Sequence, residues 1–377
     1  MRKLLLLVGG IVFVDTMFFA ALTPLLPDYA EEFDLSKAGA GVLSAAYPAG
    51  ALVGGIPGGI AAARLGARPT AIAGLIVIAV STFVFATGDS IVVLDASRFA
   101  QGVGSAFAWT AGLTWLISET PRERRGQTIG SAMAAAIVGA LFGPVLGGVA
   151  AVVGDAIAFG AAGLAALGLA AWAAATHAPP PERPQPLHLL LVAMRSRSVA
   201  LGIWFVVLPG IFFGTLSVLA PLRLEELGFG AVAIGTLWLF TAGLEAVVNP
   251  WVGRVSDRIG RFTPMRRAVF AGTLVTVLLP WPDRAALLAP LIVAGGIAFG
   301  SFWTPAMALL SDEAEHRGLE YAYMFALINL AWAPGQMIGS AGSGALAHVT
   351  SDTVPYLLLA GTCLLTFALL WRSRSSS

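Results

Sequence analysis

Three ionisable residues lie inside long apolar segments of the sequence. Asp15 lies near the middle of the first segment, Glu245 lies about two helical turns before Gly253, and Arg98 lies one turn after Asp95. A charge at the centre of a bilayer costs roughly 2.5–3.5 kcal/mol on insertion scales. Residues kept in such places are therefore candidates for carrying protons or binding charged ligands.

Asp15 is the main candidate for proton transfer. A carboxyl group near the midplane can take up a proton when it is open to one side and release the proton when it is open to the other. A cationic substrate would compete for the same carboxylate, and this competition would produce antiport. The alternative is that Asp15 makes only a structural hydrogen bond between helices.

Glu245 and Arg98 each allow two interpretations as well. Glu245 is predicted to be a second proton or cation site, and the alternative is a buried ion pair with an arginine. Arg98 could stabilise the charged form of a nearby carboxylate or bind an anionic group. The alternative for Arg98 is a pair with Asp95 in the preceding turn.

A substrate cavity is predicted from polar and aromatic residues in the apolar segments. On a helix, Glu245 shares one face with Trp238, Thr241 and Asn249, because their spacing follows the helical turn. The remaining candidates are aromatic residues and one amide: Phe18, Phe19, Tyr47, Trp109, Trp303 and Asn329. The aromatic rings could stack on hydrophobic or cationic ligands, but lipid-facing positions would explain them equally well.

The composition predicts that helices crossing a membrane position these residues. The chain has 377 residues, of which 57% are hydrophobic and 11% are charged, whereas a soluble domain carries about 25% charged residues. Apolar segments near the roughly 20 residues of a membrane span recur throughout, and hydrocarbon favours helices because they satisfy their own backbone. The predicted fold is an all-α membrane protein with spans at 4–26, 39–63, 69–88, 91–117, 127–152, 155–176, 199–221, 231–253, 266–282, 285–310, 321–346 and 353–371.

The charges between these spans predict an orientation. Most basic residues lie at the N-terminus, in alternate loops, in the central segment and at the C-terminus, while the opposite loops carry acids such as Asp28, Glu31 and Glu226. The positive-inside rule then places both termini in the cytoplasm, which requires an even number of spans. The expected location is a bacterial inner membrane.

The two halves of the chain resemble each other. The stretch 58–68 matches 252–261, and at nearly the same shift Gly143 meets Gly335 and Gly147 meets Gly339. A constant shift predicts two parallel six-helix repeats that enclose a site near the midplane. The predicted units are an N-terminal half at 1–176, a cytoplasmic linker with a short interfacial helix at 177–198, and a C-terminal half at 199–377.

Four motifs resemble those of the major facilitator superfamily over essentially the whole chain. The run from Gly253 to Arg261 resembles its cytoplasmic loop signature, and a partial copy lies between the second and third spans, where Ala63 replaces the family's Asp. The run from Arg98 to Gly104 resembles its arginine-bearing motif. The run from Gly139 to Gly148 resembles the motif associated with antiporters, which favours the drug:proton antiporter branch.

The resemblance implies roles for these residues. The loop motifs imply a latch that closes the cytoplasmic face, although these loops could instead only fix topology; its residues are Gly59, Arg64, Gly66, Arg68, Gly253, Asp257, Arg258, Gly260 and Arg261. The antiporter motif is carried by Gly139, Gly143, Pro144, Gly147 and Gly148. The spacing of Gly139, Gly143 and Gly147 forms a smooth face that allows close helix packing. The alternative is ordinary packing. Arg98 is implied in proton coupling.

The leading hypothesis is a proton-coupled antiporter that exports small hydrophobic or cationic molecules by alternating access. The alternatives are an importer coupled to protons or sodium, for a small solute such as a sugar, and a transport-inactive sensor or scaffold. We expect no enzyme activity, no metal and no cofactor apart from the coupling proton, because the sequence has no phosphate-binding loop and no metal-ligand spacing. The expected partners are a small-molecule substrate and the lipid bilayer, without nucleic acid, and the expected state is a monomer.

Overall fold

The described residues form helices and the turns that connect them, with no strand among them. The computed structural model describes residues 2–121, 124–180, 186, 189, 192, 194–259, 262–316, 318 and 321–372. The helices are α1 Arg2–Glu32, α2 Lys37–Leu65, α3 Ala67–Ala86, α4 Ile91–Ser118, α5 Arg125–Val153, α6 Asp155–Ala175, α7 Arg197–Glu226, α8 Ala231–Ile259, α9 Phe262–Leu278, α10 Ala285–His316, α11 Tyr321–Met337, α12 Ser343–Val349 and α13 Thr353–Arg372.

Helices α11 and α12 belong to one span. A π-helical turn, Ile338–Gly342, joins them without a break, and the Ser340 hydroxyl donates a hydrogen bond to the Gln336 carbonyl at 2.7 Å inside it. The described helices therefore provide twelve spans, as the sequence predicts. Eight of the described helices are also long and apolar enough to cross a membrane by length and composition.

Sharp turns separate several of the spans. Gly66 between α2 and α3 has φ 99°, and Gly154 between α5 and α6 has φ 91°. These values lie in the left-handed region, which favours glycine because a Cβ would clash there. Adjacent spans can therefore reverse direction within one or two residues.

The packing of the second six spans repeats that of the first. In the first half α1 packs on α5, α2 on α4 and α3 on α6, and in the second half α7 packs on α11, α8 on α10 and α9 on α13. The matching glycines each allow a close approach to the first helix of their half. A Cβ on Gly143 would lie 2.9 Å from the Met17 carbonyl oxygen of α1, and a Cβ on Gly335 would lie 2.6 Å from the Val207 carbonyl oxygen of α7. The predicted twelve-span fold with two parallel repeats is confirmed.

The two halves touch along α2 and α11, and along α5 and α8. We call the end of the bundle where α1 begins and α13 ends the terminal face, and the opposite end the far face. At the far face the Lys37 ammonium lies 2.7 Å from an Asp352 carboxylate oxygen of the other half. Deeper in the bundle, a Cβ on Gly235 would lie 2.8 Å from the Pro144 carbonyl oxygen across the same boundary. The far face is therefore closed.

The predicted domain limits remain a prediction. Much of the linker at 177–198, including most of its expected interfacial helix, lies outside the described residues.

Candidate functional site

Asp15 lies buried near the middle of α1 with polar partners around its carboxylate. The Tyr47 hydroxyl of α2 donates a hydrogen bond to Asp15 Oδ1 at 2.7 Å. The Ser105 hydroxyl of α4 lies within interaction range of both groups, and the Arg98 guanidinium is close enough to interact with Asp15 electrostatically. The carboxylate thus connects three helices of the N-terminal half.

Arg98 is buried and is held by α1 rather than by Asp95. Its Nη1 atom donates to the Phe18 carbonyl oxygen at 3.0 Å, and its Nη2 atom donates to the Phe19 carbonyl oxygen at 3.3 Å. Its guanidinium carbon lies 4.9 Å from the centre of the Tyr47 ring, within the range of a cation–π interaction. Asp95 Oδ1 is buried without a hydrogen-bond partner among the described residues.

A polar chain extends from Arg98 towards α3. Arg98 Nη1 donates to Gln101 Oε1 at 2.9 Å, and Gln101 Nε2 donates to Thr82 Oγ1 at 3.0 Å. Thr82 in turn donates to the Ile78 carbonyl at 2.7 Å. Most donors in this buried network are satisfied, which is what fixes side-chain positions in a low-dielectric interior.

An aromatic contact connects this network to the other half. The Phe19 ring lies 5.2 Å from the Tyr47 ring and 5.1 Å from the Trp332 ring of α11, the latter in an edge-to-face arrangement. Phe19 and Trp332 are both partly exposed. Through this pair the Asp15 network contacts the C-terminal half.

Glu245 lies on α8 and faces α10. A Cβ on Gly296 would lie 2.7 Å from Glu245 Oε1, and a Cβ on Gly300 would lie 2.6 Å from Glu245 Oε2. Thr241, one turn earlier, also contacts Gly296. Within the part of the chain that the structure describes, Glu245 has no ion pair and no hydrogen bond. The alternative of a pair with an arginine finds no support there.

The glycines of the antiporter motif lie against α1. A Cβ on Gly139 would lie 2.3 Å from the Phe13 carbonyl oxygen, and one on Gly147 would lie 2.4 Å from the Ala21 carbonyl oxygen. Backbone approaches of this kind are possible only without a side chain. The motif thus packs along the helix that carries Asp15, while Gly148 points towards Val232 of the other half.

The comparisons with known proteins agree with this architecture. A family profile described as Major Facilitator Superfamily matches residues 8–335. The chain belongs to the Major Facilitator Superfamily. Members of this superfamily are secondary transporters, so the chain is an integral membrane transporter and not an enzyme, as the sequence predicts.

The chain is also similar to individual members of the superfamily. It is 24% identical over 99% of its length to the "Uncharacterized MFS-type transporter YcaD" of Shigella flexneri serotype 5b, covering 96% of that protein. The Escherichia coli O139:H28 protein of the same name is equally similar, with the same coverage of both chains.

Solved structures of the superfamily share the fold. The crystal structure of a D-xylose-proton symporter has a TM-score of 0.75 at 16% identity, over 98% of this chain and 96% of that one. The crystal structure of the nucleoside transporter NupG has a TM-score of 0.76 at 14% identity, over 98% and 99% of the two chains. At these identities the likeness concerns the fold alone.

The latch motif of the superfamily is described only in part. Arg64, Arg68 and Arg258 are exposed at helix ends of the terminal face, and Arg68 Nη1 donates to the Thr176 carbonyl at the end of α6 at 3.5 Å. Gly66 forms the turn before α3. The remaining motif positions are Gly59 and Gly253, which lie within helices, the Asp257 side chain, which is not described, and Gly260 and Arg261, which lie outside the described residues.

Within the described residues, the side chains of the other predicted cavity residues take no part in the hydrogen bonds around Asp15, and Phe18 joins that network only through its backbone carbonyl. Phe18 is buried in the core and Trp109 packs against that core. Trp238, Asn249 and Asn329 are partly exposed on α8 and α11. The Trp303 side chain is not among those described. The cavity roles of all these residues stay predictions.

Several functional candidates could not be selected from the sequence. Trp332 lies in an apolar span like many other aromatic residues, and Gly296 and Gly300 are two of 44 glycines. Their spacing of one helical turn was the available signal. The spacing does not show which helix the two glycines face.

Proposed function

We propose that the chain is a proton-coupled antiporter that exports small hydrophobic or cationic molecules by alternating access. The observation that carries this proposal is the Asp15 carboxylate, buried at the middle of α1 with Tyr47 donating to it at 2.7 Å. In the proposed arrangement the terminal face is cytoplasmic, the membrane is a bacterial inner membrane, and the transporter is a monomer.

Protonation of Asp15 would change its contacts. The ionised carboxylate accepts from Tyr47, whereas a protonated carboxyl also has a hydrogen to donate. Tyr47 stacks on Arg98, and Arg98 holds the Phe18 and Phe19 carbonyls of α1. A change of charge on Asp15 therefore acts on α1, α2 and α4 together. This coupling is what a proton must produce to drive a conformational change.

The proposed substrate path passes the pair of Phe19 and Trp332. These rings belong to different halves and both remain partly exposed. Halves that rock about the midplane would separate such a pair and present two aromatic faces to a ligand. Hydrophobic and cationic molecules are the ligands that aromatic faces bind well.

The antiporter motif supports the direction of the proposal. Its glycines hold α5 against α1 beside Asp15, and Pro144 of the same motif touches α8 of the other half through its carbonyl. A helix placed between the proton carrier and the boundary of the halves is suited to transmit movement from one to the other. The drug:proton antiporter branch remains part of the proposal.

The test is transport by the purified protein in liposomes under an imposed pH gradient, with a panel of cationic dyes and sugars. We expect dye to move against the proton gradient, and we expect Asp15→Asn to abolish this movement while leaving counterflow of dye. Asp95→Asn is the matched control, because Asp95 lies on a neighbouring span and its Oδ1 atom has no hydrogen-bond partner among the described residues. Undiminished pH-driven transport by Asp15→Asn would show that Asp15 is not the proton carrier. Movement of sugar together with protons would support the importer instead.

A further inference from the structure

The Glu245 carboxylate packs directly against two glycines of α10. Its two oxygens face two glycines one turn apart on α10: Oε1 faces Gly296, and Oε2 faces Gly300. The carboxylate therefore lies along the backbone of α10, with no side chain between them. We call Gly296 and Gly300 the glycine slot.

Only glycine at positions 296 and 300 allows the Glu245 carboxylate to occupy this position. A Cβ on Gly300 would lie 2.6 Å from Oε2, 3.0 Å from Cδ and 3.2 Å from Cγ of Glu245, so alanine and the present carboxylate position exclude each other. The group that would have to give way is the end of a flexible side chain rather than backbone. An alanine at Gly300 is thus expected to displace the carboxylate without unfolding the helix pair.

Asp15 and Glu245 differ in their surroundings. Asp15 already has the Tyr47 hydroxyl as a donor and Arg98 as a nearby cation. Glu245 has no hydrogen bond and no ion pair within the described residues, and its residue is partly exposed, whereas Asp15 is buried. An unpaired carboxylate in a low-dielectric site gains strongly from a cation that reaches it. Glu245 is therefore the acid that is free to receive one.

We propose that the glycine slot is a specificity-determining element, which holds the Glu245 carboxylate where it binds the cationic group of the substrate. This inference rests on the proposed function, and within it assigns the two acids different tasks: Asp15 carries the proton and Glu245 selects organic cations over neutral molecules of the same size. Gly296 and Gly300 act through Glu245 as positioning residues.

Binding of two probes to the purified protein in detergent tests this. The probes are tetraphenylphosphonium, a cation, and triphenylphosphine oxide, a neutral molecule of similar shape, and the dissociation constants are measured by calorimetry. We expect Glu245→Gln and Gly300→Ala each to weaken binding of the cation by about tenfold or more, and to change binding of the neutral probe by less than about twofold.

Gly295→Ala is the matched control on the same helix. A Cβ there would lie 2.5 Å from Cζ of Phe212, so it disturbs packing to a similar degree without touching Glu245. We expect it to leave the ratio of the two dissociation constants unchanged. We also expect Glu245→Asp, whose shorter side chain leaves room for a methyl group, to recover part of the selectivity when combined with Gly300→Ala.

The outcomes separate this inference from the proposed function. If Gly300→Ala or Glu245→Gln weakens the binding of both probes equally, or of neither, the glycine slot does not determine specificity, whatever the transport assay shows. If Gly295→Ala lowers the ratio as much as Gly300→Ala, the effect is general packing damage and the inference is wrong. If these two variants selectively lose binding of the cation but the unmodified protein shows no pH-driven transport, the proposed proton coupling is wrong and the role of the glycine slot is supported.

Discussion

Lys37 and Asp352 form an ion pair that joins the two halves of the transporter at the far face. The Lys37 ammonium nitrogen lies 2.7 Å from both carboxylate oxygens of Asp352 and 3.9 Å from Glu226 Oε1. The backbone closes beneath this pair, since a Cβ on Gly344 would lie 2.3 Å from the Lys37 carbonyl oxygen. The proposed alternating access requires this contact to open.

Breaking this ion pair should shift the protein towards opening at the far face. We expect Lys37→Ala to increase the population of longer distances between spin labels attached at Ser36 and Thr350, which are exposed residues on opposite sides of the boundary. The labelled cysteines are introduced together with Cys363→Ser. High salt should also increase the population of longer distances in the unmodified protein, because salt screens a partly exposed ion pair.

Arg223→Ala is the control for the far-face ion pair. Arg223 pairs with Glu226 at 2.8 Å within one helix. Arg223→Ala therefore removes an ion pair of the far face that does not cross the boundary between the halves. An unchanged distance distribution in Lys37→Ala, or an equal change in Arg223→Ala, would show that the pair does not hold the far face closed.

The seam between α1 and α5 should tolerate no added side chain at Gly143. A Cβ there would lie 2.4 Å from the Ala20 Cβ and 2.9 Å from the Met17 carbonyl oxygen. Since backbone cannot move aside, we expect Gly143→Ala to destabilise the protein by about 1–3 kcal/mol in thermal unfolding in detergent. Gly130→Ala on the same helix meets nothing within 4 Å and should have little effect. Equal stability of the two variants would contradict the packing described here.

The sequence predicts the spans well because hydropathy is a property of each segment alone. The predicted span 155–176 corresponds to Asp155–Ala175, and the repeated glycines pack as their matching positions indicate. The ninth span is displaced, with Phe262–Leu278 observed against 266–282 predicted. Its first turn contains Thr263 and Pro264, which lower the hydropathy there, so hydropathy places the helix start too late.

The contacts between helices are harder to predict because they depend on how each helix is rotated about its axis. Asp15, Tyr47 and Arg98 are recognisable as candidates, but their mutual contacts across α1, α2 and α4 appear only in the fold. Lys37 stands out in sequence only as a basic residue on the acidic side. Its pairing with Asp352, more than 300 residues away along the chain, carries no local signal.

The fork geometry of Arg98 should matter more than its charge. Arg98 donates to two α1 carbonyls and to Gln101 at once, and a lysine ammonium cannot reproduce these directions. We expect Arg98→Lys to lower the unfolding temperature and to abolish pH-driven transport. Gln101→Glu, which keeps an acceptor for Arg98, should retain more transport than Arg98→Lys. Full activity of Arg98→Lys would mean that charge alone suffices.

The contact between Phe19 and Trp332 should contribute to binding of aromatic substrates. An edge-to-face pair is worth about 0.5–1.5 kcal/mol beyond the area that it buries, and in the proposed transport cycle its rings would become available to a ligand when the halves separate. We therefore expect Trp332→Ala to weaken binding of an aromatic dye several-fold more than Trp332→Phe, which keeps a ring. Trp371→Ala is the control, because Trp371 is 60% exposed on α13, far along the chain from the boundary helices. If Trp371→Ala and Trp332→Ala weaken dye binding equally, the dye is partitioning into the detergent belt around the protein and the pair at the boundary does not bind it.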